Sequence, residues 1–155
     1  MINVLFVCLG NICRSPMAEA IFKEKVRGEG LEAKFLVDSA GTGGWHVGKP
    51  PHEGTLDILR ENNIKGDGLT ARQFSPDDNR FDYIVAMDRS NASDIKEVLR
   101  EEFHGNVFRL LDLVDESTLS DVPDPYYTGN FQEVYDLIEQ GCSQLLSKIK
   151  KEHRL

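Results

Sequence analysis

At 155 residues the chain has the length of one domain with a sizeable core, and its composition, 40% hydrophobic and 28% charged, is that of an ordinary soluble globular protein. A net charge of −8 argues against nucleic acid and acidic membrane surfaces as partners. It also means that any anionic substrate must be held by local donors, against the general field of the protein.

Apolar strand-like runs alternate with helical patterns along the chain, which predicts an α/β fold with a mainly parallel sheet in a single domain spanning 1–155. The first strand is read from Ile2 to Val7. A short loop, Cys8-Leu9-Gly10-Asn11-Ile12-Cys13-Arg14-Ser15, follows it. A helix from Pro16 to Gly28 comes next, with Met17, Ala18, Ile21, Phe22 and Val26 on one face. A second strand runs from Phe35 to Ala40, ending in Asp38-Ser39-Ala40-Gly41-Thr42. The loop Gly43 to Pro50 carries Trp45, His46 and Lys49. A helix then runs from Pro51 to Asn62 with Leu56 and Leu59 inward. Tyr83-Ile84-Val85-Ala86 is the third strand, leading into Met87-Asp88 and a helix from Ser90 to Glu102. The fourth strand is Asn106 to Leu110. Asp121 to Gly129 is a turn-rich loop containing Pro123-Asp124-Pro125-Tyr126-Tyr127. The last helix opens on a capping pair, Asn130 with Glu133, and carries apolar positions from Phe131 to Ile149, Cys142 among them as a core residue. No run is long and apolar enough to span a membrane. The chain opens on a strand without a basic leader, so a cytoplasmic location is expected. Three cysteines, an odd number, do not suggest a secreted disulfide framework.

The loop after the first strand reads C-x5-R-S, which suits a cradle for a phosphate-sized anion around a nucleophile. A loop feeding a helix N-terminus turns backbone N–H groups inward, and these groups together with the helix dipole favour an anion. The same field is expected to favour the Cys8 thiolate. Arg14 supplies a planar fork for two phosphoryl oxygens. Gly10 allows close backbone approach, and Asn11 tolerates the left-handed conformation while bonding to the loop itself. Ser15 is expected to cap the helix and to donate to the Cys8 sulfur, with Pro16 at the first helical position. Cys8, Ser39 and Asp88 all fall at or just after strand ends, where ligands sit in such sheets.

A thiolate attacking a phosphomonoester needs a proton donor for the leaving group. Asp124, stiffened between two prolines, fits that role, with Tyr126 and Tyr127 as apolar walls for an aromatic leaving group; a solvated turn residue is the other reading of the segment. In the first reading Cys8 forms a cysteinyl-phosphate while Asp124 gives a proton, and water then releases phosphate with Asp124 as base. Arg14 and the loop amides stabilise both transition states. No metal or other cofactor is needed, and His46, His52, His104 and His153 are too scattered for a zinc site. Cys13, five positions from Cys8, either captures oxidised Cys8 as a reversible disulfide or packs beneath the loop.

These residues sit within longer stretches: V-C-L-G-N-I-C-R-S-P-M-A-E-A from Val7, D-S-A-G-T from Asp38, G-K-P-P from Gly48, F-D-Y-I-V-A-M-D from Phe81 and D-P-Y-Y from Asp124. Over almost its whole length the chain resembles the low-molecular-weight protein tyrosine phosphatases, bacterial members in particular. The resemblance implies a three-layer sandwich: a central four-stranded parallel sheet flanked by helices, with the phosphate loop after strand 1. It also implies Cys8 as nucleophile, Arg14 as phosphate clamp, Asp124 as general acid, and phosphotyrosine proteins as substrates. Asn11, Ser15 and Ser39 match a network that shapes the loop. Trp45, Tyr126 and Tyr127 match cleft walls, Leu9 and Ile12 the cleft floor, and Asp88 a supporting position. Leu69 departs from the pattern, standing where mammalian members place a histidine of the loop-supporting network. Some members of the family are exported without a leader.

Three rivals share the motif. Bacterial protein-arginine phosphatases carry Thr at the position of Ile12 and lack the paired tyrosines; Ile12 would crowd a phosphoguanidinium, so phosphotyrosine is the expected substrate. Arsenate reductases need two more relay cysteines, and only Cys142 remains. A phosphocarrier would not need both Arg14 and Asp124.

Overall fold

Alternation decides how the first strand, β1 (Ile2–Cys8), is used. Val4, Phe6 and Cys8 face one side of the sheet and Leu5 and Val7 the other, all essentially buried. A strand buried on both faces belongs inside a parallel sheet. In this computed structural model, described over residues 1–100, 105–114 and 119–155, β1 pairs in parallel with β2 (Phe35–Gly41) on one edge and β3 (Tyr83–Ala86) on the other. β4 (Asn106–Arg109) pairs in parallel with β3, giving the order β2-β1-β3-β4. The four-stranded parallel sheet expected from the sequence is therefore present.

Helices cover both faces. On the side of Val4 and Phe6 lie α1 (Arg14–Gly28), α2 (Glu53–Glu61) and α5 (Phe131–His153); on the side of Leu5 and Val7 lies α3 (Arg89–Leu99). A one-turn helix, α4 (Pro125–Thr128), sits within the loop before α5 and closes on Gly129 in the left-handed region, φ 74°. The larger core is knit by edge-to-face rings, Phe6 to Phe22 at 5.6 Å and Phe22 to Phe35 at 5.8 Å. Each such fully buried side chain contributes about 1.5–3 kcal/mol. Among the described residues, no helix is long and apolar enough to cross a membrane.

Several boundaries differ from the expectation. Helix α1 begins at Arg14, not Pro16, because the Cys13 carbonyl already accepts from the Met17 N–H. Ser15 therefore does not cap the helix: it lies inside the first turn, and Pro16 is third rather than first. Helix α2 begins at Glu53 after His52, whose ring nitrogen accepts the Gly54 N–H, and turns Thr55, Ile58 and Leu59 inward with Leu56 half-buried. Strand β4 stops at Arg109, since Leu110–Leu113 tighten into a 3-10 turn. The expected end of the third helix, Glu101 and Glu102, lies outside the described residues. Asn130 caps α5 by accepting the Glu133 N–H at 3.0 Å, while Glu133 answers the Asn130 side-chain amide rather than its main chain.

Candidate active site

The sheet order reverses beside β1: the chain leaves it towards β2, then returns past it to β3. The carboxyl end of β1 therefore opens into the crevice where such sheets hold ligands. Cys8 is its last residue, and the loop to α1 folds back over it. The end of β2 anchors that loop, since the Thr42 and Gly43 N–H groups donate to the Cys8 and Leu9 carbonyls, both at 2.9 Å. The packing is close enough that a Cβ on Gly41 would meet the Leu9 oxygen at 2.8 Å.

Asn11 holds the loop in shape. It sits at φ 56°, a left-handed conformation that asparagine tolerates. Its side chain uses both donors and its acceptor: Nδ2 donates to Ser15 Oγ at 2.7 Å and Ser39 Oγ at 3.0 Å, and Oδ1 accepts the Arg72 main-chain N–H at 2.9 Å. Proton directions then propagate. Ser39, already an acceptor, donates to buried Glu19 at 2.6 Å. Ser15, also an acceptor, keeps its own proton for Cys8 Sγ at 3.0 Å, the nearer of its two acceptors. The Asn11 N–H adds a second donor to that sulfur at 3.3 Å. Two donors on one sulfur is an arrangement that suits a thiolate.

Arg14 lies beneath the same space, 2% exposed. Its Nη1 donates to Asp88 at 2.6 Å and to the Val122 carbonyl at 3.0 Å; its Nη2 reaches Asp124 Oδ2 at 3.4 Å. Burial works against its charge, but Cys8, Asp88 and Asp124 outweigh burial and raise its pKa above the ordinary value. Asp88 is itself fixed as the N-cap of α3, and Asp124 as the N-cap of α4 through the Tyr126 N–H at 3.1 Å. Burial, reinforced by the charges of Cys8 and Asp124, pushes the Cys13 thiol up to about 12.

Above the sulfur opens a cleft of about 360 Å³. Cys8, Gly10, Cys13 and Arg14 form its base together with Leu9 and Ile12, and Asp124 stands on its rim. Trp45, Tyr126 and Tyr127 are its walls and are largely exposed. Asn11, Ser15 and Ser39 lie behind the loop instead of in the cleft, and Asp88 reaches it only through Arg14. The residues singled out in the sequence thus converge on one place.

His46, in the loop beside Trp45, completes a wall and lies 6.4 Å from the Tyr126 ring. Others were not foreseen as parts of the site. His52 donates its N–H to the Ile12 carbonyl at 2.7 Å, and its ring stacks on Phe131 at 5.1 Å. Thr55 donates to the Cys13 carbonyl at 3.1 Å. Glu19 ends the Ser39 chain, and Arg72 is clamped by Asp38 and by the buried Asp78. The signals that could have found them are slight: a Glu19–Lys23 pair at helical spacing, and one arginine with one acid six residues away and another 34 residues away. Leu69 packs against the larger core, and the loop is supported at Asn11 by the Arg72 main chain instead.

Comparison with known proteins agrees with this geometry. A family model, low molecular weight phosphotyrosine protein phosphatase, matches residues 3–155. The chain is 58% identical over 156 residues to the low molecular weight protein-tyrosine-phosphatase YfkJ of Bacillus subtilis, covering 100% of both chains. The YfkJ crystal structure superposes with a TM-score of 0.93, over 98% of this chain and 96% of that one. A protein tyrosine phosphatase of Entamoeba histolytica, with Hepes in its active site, is 34% identical with a TM-score of 0.92 and full coverage of both chains. A Drosophila arginine phosphatase is also 34% identical, with a TM-score of 0.88 over 95% of this chain and 97% of that one. By family model, sequence and fold alike, this chain belongs to the low molecular weight phosphotyrosine protein phosphatases.

Proposed function

We infer that this protein hydrolyses phosphotyrosine in cytoplasmic proteins through a cysteinyl-phosphate. The observation that carries the reading is the convergence on one cleft of a sulfur with two hydrogen-bond donors, a buried arginine and an aspartate 3.4 Å from that arginine. In the first step the Cys8 thiolate attacks phosphorus in line. The phosphorus–oxygen bond to tyrosine breaks, and Asp124 gives its proton to the departing phenoxide. Asp124 Oδ1 accepts the Tyr126 N–H and Oδ2 faces Arg14 Nη2 at 3.4 Å, so the carboxyl group is held at the rim of the cleft by both oxygens. In the second step water attacks the phosphocysteine, Asp124 takes its proton, and phosphate leaves with Cys8 restored as thiolate. Arg14 and the loop amides hold the equatorial oxygens throughout. Trp45, Tyr126 and Tyr127 are of the size and polarity to flank a phenyl ring.

Phosphoarginine is the rival substrate, since a relative is an arginine phosphatase. Ile12 on the cleft floor and the tyrosine walls favour the apolar ring over a guanidinium, which would leave donors unpaired there. Phosphopeptide turnover in metal-free buffer tests the assignment. Phosphotyrosine should be turned over well above phosphoarginine, Cys8→Ser should be inactive, and Asp124→Asn should be slowed about 10²- to 10⁴-fold. A preference for phosphoarginine overturns the substrate, and activity in Cys8→Ser overturns the mechanism.

The same base supports redox control. Peroxide takes the Cys8 thiolate to a sulfenic acid; Cys13, beside it in the cleft, then forms the disulfide and water leaves.

A further inference from the structure

A second groove runs along the far side of Trp45, between that ring and helix α3. Leu9, Thr42 and Gly43 form its floor, Trp45 one wall, and Asp94 and Glu97 the other. Trp45 and Leu9 line both this groove and the catalytic cleft, so the two are continuous across a ridge one side chain wide. A peptide with its phosphorylated ring over Cys8 has room to carry a flanking residue across that ridge.

The chemistry of the groove is one-sided. Asp94 and Glu97 lie one helical turn apart on one face of α3. Neither is held in an ion pair or hydrogen bond among the described residues, whereas most acids around the active site are so held. Lys96 lies between them in sequence but does not line the groove. Opposite them the Trp45 indole is 70% exposed. Two unpaired carboxylates facing an exposed indole match an ammonium or guanidinium group, by charge on one side and by cation–π attraction on the other. Beyond Trp45 in the other direction stand His46 and Lys49, their side-chain nitrogens 3.4 Å apart, so the two sides of the Trp45 ridge differ in charge.

We propose that this groove is a substrate subsite that takes a lysine or arginine one or two residues from the phosphotyrosine, with Asp94, Glu97 and Trp45 as its specificity determinants. The proposal rests on the phosphotyrosine reading of the cleft. It also gives a protein of net charge −8 a means of drawing in an already anionic substrate: the flanking cation offsets repulsion that the phosphate alone meets.

The test is kcat/KM on alanine-rich phosphotyrosine peptides carrying a single Lys or Glu one or two residues to either side, with free phosphotyrosine alongside. The readout is the Lys-to-Glu ratio within one enzyme preparation, which cancels differences in folding. At one or more positions the ratio should be roughly three- to tenfold, the size expected of solvent-exposed pairs, and should shrink as salt is raised. In Asp94→Asn/Glu97→Gln it should fall to near one, and Glu97→Lys should invert it. Equal turnover of the Lys and Glu series, or a ratio that persists in the double variant, overturns the subsite and leaves the phosphatase reading standing. Failure to hydrolyse free phosphotyrosine overturns the phosphatase reading and the subsite with it.

Discussion

The main-chain N–H of Arg72 donates to the side-chain oxygen of Asn11 at 2.9 Å, joining positions 61 residues apart. That bond fixes which way the Asn11 amide points, and the amide in turn orders the protons of Ser15 and Ser39. Asn11→Asp keeps the size of the side chain but removes both donors and places a carboxylate beside Cys8. We expect kcat to fall at least about tenfold and inhibition by inorganic phosphate to weaken, because the Ser15 proton is no longer directed at the sulfur. Steady-state kinetics with phosphate as competitive inhibitor checks this; an unchanged phosphate Ki would disprove it.

Asp88 does two jobs that a single substitution separates. It caps α3, and it holds Arg14 at 2.6 Å. Asn is as good an N-cap as Asp, so Asp88→Asn should change stability little through the cap while weakening the hold on Arg14. Asp88→Ala should lose about 1 kcal/mol more from the cap. Both should raise KM for phosphomonoesters. Thermal melts beside kinetics distinguish the contributions, and equal melting temperatures for the two variants would contradict the capping argument.

The loop was legible in the sequence because its meaning is local: strand, cysteine, six steps, arginine, helix. The sheet was legible because four apolar runs each have the length of a strand. Support from distant parts of the chain was not. Glu19 has the pattern of an exposed helical acid paired with Lys23, and only the arrival of β2 with Ser39 explains its burial. Arg72 lies in a stretch without periodicity, and Asp38 and Asp78 come to it from positions 34 and 6 residues away. The start of α1 was misplaced because proline at a first helical position is a statistical preference, whereas here the anion loop supplies the first turn. The Glu19–Ser39 and Arg72–Asp38 contacts are tertiary, with partners 20 and 34 residues apart, and Asp78, only six residues from Arg72, carries no periodic pattern that marks the pair.

Alkaline pH should loosen the fold through its buried thiols. The Cys13 thiol moves from an ordinary 9.0 up to about 12, and burial raises Cys142 as well. Between the two values an unfolded chain has released the proton while the folded chain retains it, so the folded state binds more protons. Stability is therefore fully present below pH 9.0 and declines as pH rises towards 12, by at most about 1.4 kcal/mol per pH unit for each such group. Melting temperatures at pH 8 and pH 10 check the sign. Cys142→Ala, lower in absolute stability, should lose less between those two values than the wild type.

Oxidation offers a separate check on Cys13. After peroxide, thiol reductant should restore wild-type activity. Cys13→Ser cannot close the disulfide, so its Cys8 continues to irreversible acids. Full recovery of Cys13→Ser would remove Cys13 from the scheme. Because Cys13 must ionise to attack and its thiol is pushed up, closure should quicken as pH rises from 7 to 9.

Gly43 gives the most economical probe of the cleft wall. A Cβ there would fall 1.9 Å from the Trp45 ring, which packs against that backbone. Gly43→Ala must therefore displace the indole. The ring is exposed and its side chain is free to swing, so folding stability should change by less than about 0.5 kcal/mol. The substrate's aromatic ring, by contrast, loses its wall. KM for phosphotyrosine should rise severalfold while the Ki of inorganic phosphate, which on the proposed mechanism needs only the loop and Arg14, stays the same. Trp45 is the chain's single tryptophan, so its fluorescence reports the displacement directly. A shifted emission with unaltered KM would mean that the indole borders the cleft without contributing to binding.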